Sequence, residues 1–192
     1  MRKVGLAALG VALLLVSTLS QAALIRYQAA LAPEAPGATG TGFVTADYDS
    51  TAHTLLISAN WSDLSGITTV AHIHCCTAAP NIGTVAVAVT PGTLPGFPAG
   101  VSAGSYLSPV LDLTDAATYT AGFVNNFAGG QLANAEGALI AGFDSGRAYF
   151  NIHSNLFPGG EIRGFLAVPE PGTLALLALA LGAVALRRRA LH

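Results

Sequence analysis

Two short stretches, far apart in the chain, constrain its fold more than any other feature. They are Ala71-His72-Ile73-His74-Cys75-Cys76 and Tyr149-Phe150-Asn151-Ile152-His153. A β-strand turns successive side chains to opposite faces. A strand over 68–75 therefore places Val70, His72 and His74 on one face. A strand over 147–155 places Tyr149, Asn151 and His153 on one face, and Ala148, Phe150 and Ile152 on the other. Three of the chain's five histidines lie in these two strands.

If the two strands pair, His72, His74 and His153 form a candidate ligand set for one transition-metal ion. Neutral imidazoles suit zinc or copper, and three histidines plus a water is a known catalytic zinc arrangement. The plainer reading gives these histidines hydrogen bonds to loops and strand ends, oriented by Glu161 or Asn151. That reading is adopted, so no cofactor is expected, with a single zinc or copper ion as the alternative. The His-x-His pair is similar to the copper-binding strand of Cu/Zn superoxide dismutase. Only His53 and His192 remain, too few for a dinuclear site of that kind.

Cys75 and Cys76 are the only cysteines. An exported protein meets oxidising conditions, so a vicinal disulfide is favoured. Consecutive Cα atoms lie about 3.8 Å apart across a trans peptide, short of the usual disulfide range of about 4.4–6.8 Å. Two free thiols, intermolecular pairing and thiolate ligation beside His74 stay open.

Export is written into both ends. Residues 1–22 carry Arg2 and Lys3, an apolar run, and Ser20-Gln21-Ala22, the pattern of a secretory signal peptide cleaved after Ala22, or else after Ala23. At the other end Pro169-Glu170-Pro171-Gly172 breaks any helix running out of the domain. An apolar run over 173–186 follows, short against the roughly 20 residues of a full span. Arg187-Arg188-Arg189 fixes the tail on the cytoplasmic side. Without these ends the folding unit, residues 23–167, holds three arginines, no lysine and nine acidic side chains, a net charge of −6 with neutral histidine. Nucleic-acid binding needs a basic face and is excluded as a reading.

Between the ends, short alternating runs separated by turn residues predict strands over 24–31, 42–48, 54–61, 68–75, 83–89, 105–111, 147–155 and 161–168. Tyr119, Phe123 and Phe127 recur at helical spacing, with Asp115 as candidate N-cap. Leu132, Ala135, Leu139 and Phe143 do the same, which predicts helices over 112–127 and 131–143. Glu161 and Arg163 share a face of the last strand, where an ion pair or surface network is expected. The class that follows is mainly β: an antiparallel immunoglobulin-like β-sandwich with one or two short inserted helices.

His72-Ile73-His74, then Tyr149-Phe150-Asn151-Ile152-His153-Ser154 and Pro158-Gly159-Gly160-Glu161-Ile162-Arg163-Gly164, resemble the CHRD (chordin-type) domain over roughly residues 23–168. Where many such domains continue His-Ile-His with Gly, this chain has Cys75. The C-terminal segment, residues 168–192, resembles the PEP-CTERM sorting signal of Gram-negative bacteria through Pro169, Glu170 and Pro171, the apolar run and the basic tail. That resemblance implies recognition by an exosortase-type membrane protease, transient anchoring in the inner membrane as a transmembrane helix, and delivery to the cell surface or the extracellular matrix. Together the two resemblances imply a secreted, non-enzymatic surface or exopolysaccharide-associated domain with a glycan or protein partner. The competing reading is a metal-binding or redox protein, and at its furthest a metal-dependent enzyme, built on His72, His74 and His153.

Overall fold

The computed structural model describes residues 24–169. The predicted signal segment with Ala22, and the sorting tail from Glu170 and Pro171 onward, lie outside the described residues. Among the described residues no helix is long and apolar enough to cross a membrane.

Nine strands form: β1 Leu24–Pro33, β2 Thr41–Asp49, β3 Thr54–Ser62, β4 Thr68–His74, β5 Val87–Val89, β6 Gly104–Leu107, β7 Leu111–Asp112, β8 Tyr149–Ser154 and β9 Ile162–Phe165. Every pairing is antiparallel, in the spatial order β5-β4-β8-β9-β1-β2-β3-β6, with β7 beside β3. The mainly antiparallel β class with short helices is as predicted. The strands hydrogen-bond along one curled path, and β1 joins its two halves. Leu24 to Leu31 pair with β2, and Ala32 and Pro33 pair with β9.

The period of two decides what is buried. Tyr27, Ala29 and Leu31 on β1, Val44, Ala46 and Tyr48 on β2, and Leu55, Ile57, Ala59 and Trp61 on β3 turn inward. Ala71 and Ile73 from β4, Phe150 and Ile152 from β8 and Ile162 from β9 join the same core. β4 and β8 differ from the meander β1–β3. All six residues of β8, and Ala71 to His74 of β4, are buried on both faces. Loops cover their polar face, which places the histidines inside.

Several boundaries depart from the sequence pattern. The strand predicted over 83–89 pairs only from Val87 to Val89, because the chain before it, with Gly83 at φ +86°, crosses the polar face of β4 and β8 as a loop. The run 105–111 splits into β6 and β7. Ser108 replaces a ladder partner there, accepting from Ile57 N through Oγ at 2.9 Å, and Pro109 has no N–H to offer. The first predicted helix shrinks to a 3-10 turn, Ala116–Thr118, and helix α1, Ala121–Phe127. Asp115 caps the turn, while Thr120, which sequence reading overlooked, caps α1. The second begins as a 3-10 turn and continues as α2, Ala135–Asp144. Two phenols tie α2 to the sheet: Tyr27 donates to Asp144 at 2.7 Å and Tyr48 to Glu136 at 2.6 Å.

Gly142 faces the sheet side of α2 against Cys75 and Cys76, whose sulfurs are bonded to each other. A Cβ at Gly142 would lie 2.8 Å from the Cys76 sulfur and closer still to that of Cys75. Gly137, exposed in the same helix, has nothing within 4 Å of a Cβ. Alanine is worth about 0.8–1.0 kcal/mol over glycine in a helix interior, whereas overpacking costs about 1–3 kcal/mol. Gly137→Ala is therefore expected to raise the denaturant midpoint and Gly142→Ala to lower it. Equal midpoints would contradict the packing of α2 on the disulfide.

Candidate functional site

The register of β4 against β8 builds the site. His72 lies opposite Asn151 and His74 opposite Tyr149. His153, two residues beyond Asn151, is the diagonal neighbour of His72. The three imidazoles thus come from two adjacent strands on one face, each less than a tenth exposed. Their ligand-capable nitrogens lie within 4.8 Å of one another.

Backbone carbonyls fix which nitrogen of each ring is free. His72 Nε2 contacts Gly92 O at 2.9 Å, His74 Nδ1 contacts Val85 O at 2.7 Å, and His153 Nδ1 contacts Pro158 O at 2.8 Å. A carbonyl only accepts, so each of these nitrogens carries the proton. In the neutral rings, His72 Nδ1, His74 Nε2 and His153 Nε2 are then left as lone pairs. His72 Nδ1 and His153 Nε2 face each other at 3.2 Å, and no proton remains for either to donate. Two nitrogens at a metal–nitrogen distance of about 2.0–2.1 Å in a tetrahedron stand about 3.3 Å apart. His74 Nε2 is buried with no hydrogen-bond partner. Imidazole ligands of metals characteristically donate their second N–H to a carbonyl or carboxylate. The donor set therefore fits a metal ion.

Aromatic stacking holds one ligand. The His74 ring lies parallel to Tyr149, centroids 4.7 Å apart with 3° between planes. The Arg163 guanidinium sits 5.1 Å from the Tyr149 ring centre. Arg163 also pairs with Glu34 at 3.1 Å, and the other Glu34 oxygen accepts from Asn151 Nδ2 at 2.8 Å. A side chain at Gly160 would collide with both the Asn151 amide and the Glu34 carboxylate.

Burial pushes the His72 pKa down to about 4, opposed by the Gly92 hydrogen bond and reinforced by His153 and His74. Burial lowers His74 too, partly offset by the Val85 hydrogen bond and by Asn151, which would accept from Nε2 only in the protonated ring. Both rings are neutral near pH 7, the form that binds metal. The folded pKa of His72 lies below the ordinary histidine value of 6.5. The unfolded chain then binds more protons between those values, and stability falls as pH drops through that window. Melting of the metal-free protein from pH 7 to pH 4.5 is expected to show this loss, and His72→Ala to flatten it. An unchanged slope in that variant would contradict the assignment.

The structure brings His72, His74 and His153 together as the sequence pattern allowed. Neither Glu161 nor Asn151 supplies the N–H acceptors that orient them; three loop carbonyls do, and a carbonyl leaves no mark in sequence. Glu161 is not the surface ion-pair partner of Arg163. It is fully buried and accepts from the backbone N–H groups of Ser65 and Gly66. The Cys75–Cys76 disulfide faces α2, and neither sulfur belongs to the ligand cluster. His53 stands apart, paired with Glu136 at 2.8 Å.

Comparison with known proteins gives two matches. The family model of the CHRD domain covers residues 20–166, and a PEP-CTERM protein-sorting motif covers residues 167–189. No curated protein and no solved structure matches the chain.

Proposed function

The chain belongs to the CHRD domain family, and from that premise we propose that its exported domain is a non-enzymatic metal-binding module of the cell surface or exopolysaccharide matrix. One zinc or copper ion would sit on His72 Nδ1, His74 Nε2 and His153 Nε2. The PEP-CTERM motif supports export, transient C-terminal anchoring and an exosortase-type route to the surface or beyond. Removal of the tail and contact with a glycan or protein partner belong to the proposal.

The observation that carries the metal reading is the matched polarity of the three rings. Each N–H is tied to a carbonyl, the free nitrogens of His72 and His153 face each other, and one nitrogen of each ring lies within 4.8 Å of the others. A purely structural histidine cluster would be expected to place a donor against at least one of these lone pairs. Copper(II) binds more tightly than zinc at a nitrogen site of given geometry, so copper is expected to win in direct competition.

The test is elemental analysis, with intact mass, of the exported protein purified without chelator. One metal per chain is expected in the wild type and none in a folded His72→Ala/His74→Ala/His153→Ala variant. The same mass should lack Arg187, Arg188 and Arg189. A wild type that stays metal-free after reconstitution overturns the metal reading, and retention of the arginines overturns tail removal. Three protein ligands leave a fourth position, which favours a metal-dependent enzyme as second reading. Turnover by the loaded protein, lost in the folded triple variant, would replace the non-enzymatic assignment.

A further inference from the structure

Asn151 stands beside His74, and its two amide atoms are unequal. Nδ2 donates to Glu34 Oε2 at 2.8 Å, and Glu34 is itself held by Arg163. Turning the amide over would set Oδ1 against that carboxylate, two acceptors facing each other. The amide orientation is therefore fixed from outside the histidine cluster. Oδ1 is buried and has no hydrogen-bond partner. The neighbouring His74 Nε2 is the second buried atom of this face without a partner. With His74 neutral and its proton held on Nδ1 by Val85 O, both are acceptors, so neither can satisfy the other. A buried polar group left unpaired is destabilising, and two neighbouring ones call for a single remedy.

A metal ion alone satisfies the nitrogen and leaves the oxygen. A metal ion carrying water would satisfy both: the nitrogen would bind the metal, and the water would donate a hydrogen bond to the amide oxygen. We propose that Asn151 is a positioning residue whose Oδ1 accepts a hydrogen bond from water in the fourth position of the metal site, so that the site selects water over ligands that cannot donate. Gly160 is part of the device, since any side chain there would displace the Asn151–Glu34 contact. This inference rests on the metal-binding reading above.

Azide separates the two. It binds copper(II) at an exchangeable position, carries no proton to donate, and would meet the Asn151 oxygen lone pair. In the exported protein loaded with one copper(II), Asn151→Ala is expected to keep full metal occupancy and to tighten azide binding about tenfold, the equivalent of one hydrogen bond. The azide-to-copper absorption band gives the readout. Should the alanine variant not fold, Glu34→Gln carries the same test. It frees the Asn151 amide to turn its NH2 toward the fourth position, and azide tightens again. Unchanged azide affinity in a folded, fully loaded variant overturns the role of Asn151, as does a loss of thermal stability with no change in azide affinity. A wild-type protein that takes up no copper fails the metal reading instead, before azide is added.

Discussion

Adding one equivalent of zinc or copper to the metal-free protein should raise its melting temperature, and His74→Ala should abolish the rise. A ligand that binds only the folded state stabilises it by about 2.7 kcal/mol at a hundredfold excess over its dissociation constant. For a domain near 150 residues that corresponds to about 8 °C. His74 is the most informative single position. Its free nitrogen has no other partner, so its loss removes a ligand without orphaning a donor in the cluster. Its ring does stack on Tyr149, and some loss of basal stability is expected from that contact. The metal-dependent increment, and not the basal melting temperature, is therefore the quantity to compare. An equal increment in His74→Ala would place the metal elsewhere.

The second large effect concerns Glu161. Glu161→Ala should destabilise the protein by about 3–4 kcal/mol, because hydrogen bonds to a charged group contribute about 1.5–3 kcal/mol each. The carboxylate is fully buried and holds the Ser65 and Gly66 N–H groups at the bend between β3 and β4. Glu161→Gln keeps one acceptor oxygen and should lose roughly half as much. Denaturant unfolding distinguishes the pair. Near-wild-type stability of Glu161→Ala would contradict the buried-carboxylate account. Because this bend leads directly into β4, the alanine variant should also weaken metal binding, while Arg26→Ala, which breaks only an exposed pair with Asp47, should leave it unchanged.

The strands of this fold were legible wherever one face meets the core and the other meets water. Leu55, Ile57 and Ala59 alternate with more exposed neighbours, and the pattern located β3 to within a residue. Legibility declined where loops take over a face. The apolar run before Val87 has strand composition, yet its backbone serves the histidines: Val85 gives its carbonyl to His74. Tyr119, Phe123 and Phe127 keep their helical spacing and stack at 5.8 and 5.7 Å, but Tyr119 precedes the helix and bridges to Val89 instead. For Glu161 the sequence misleads, because an opposite charge two residues away suggests a surface pair. Its actual partners lie 95 and 96 residues earlier in the chain.

For the candidate site, the residue types were readable and the polarity was not. The i, i+2 spacing of His72 and His74 fixed their shared face, and pairing of β4 with β8 added His153. What turns three histidines into a ligand set is the direction of each N–H. Gly92, Val85 and Pro158 set that through backbone oxygens, which any residue carries. The sequence offers Asn151 as an orienting partner of the rings. In the structure its donor goes to Glu34, and its acceptor oxygen is left facing the site without a partner.

X-ray absorption at the metal edge of the exported protein tests the central claim most directly. Three imidazole nitrogens and one oxygen at about 2.0–2.2 Å are expected, falling to two imidazoles in a His74→Ala protein loaded with excess metal. A shell of oxygens alone, a sulfur from Cys75 or Cys76, or a spectrum indifferent to His74 would contradict the three-histidine site.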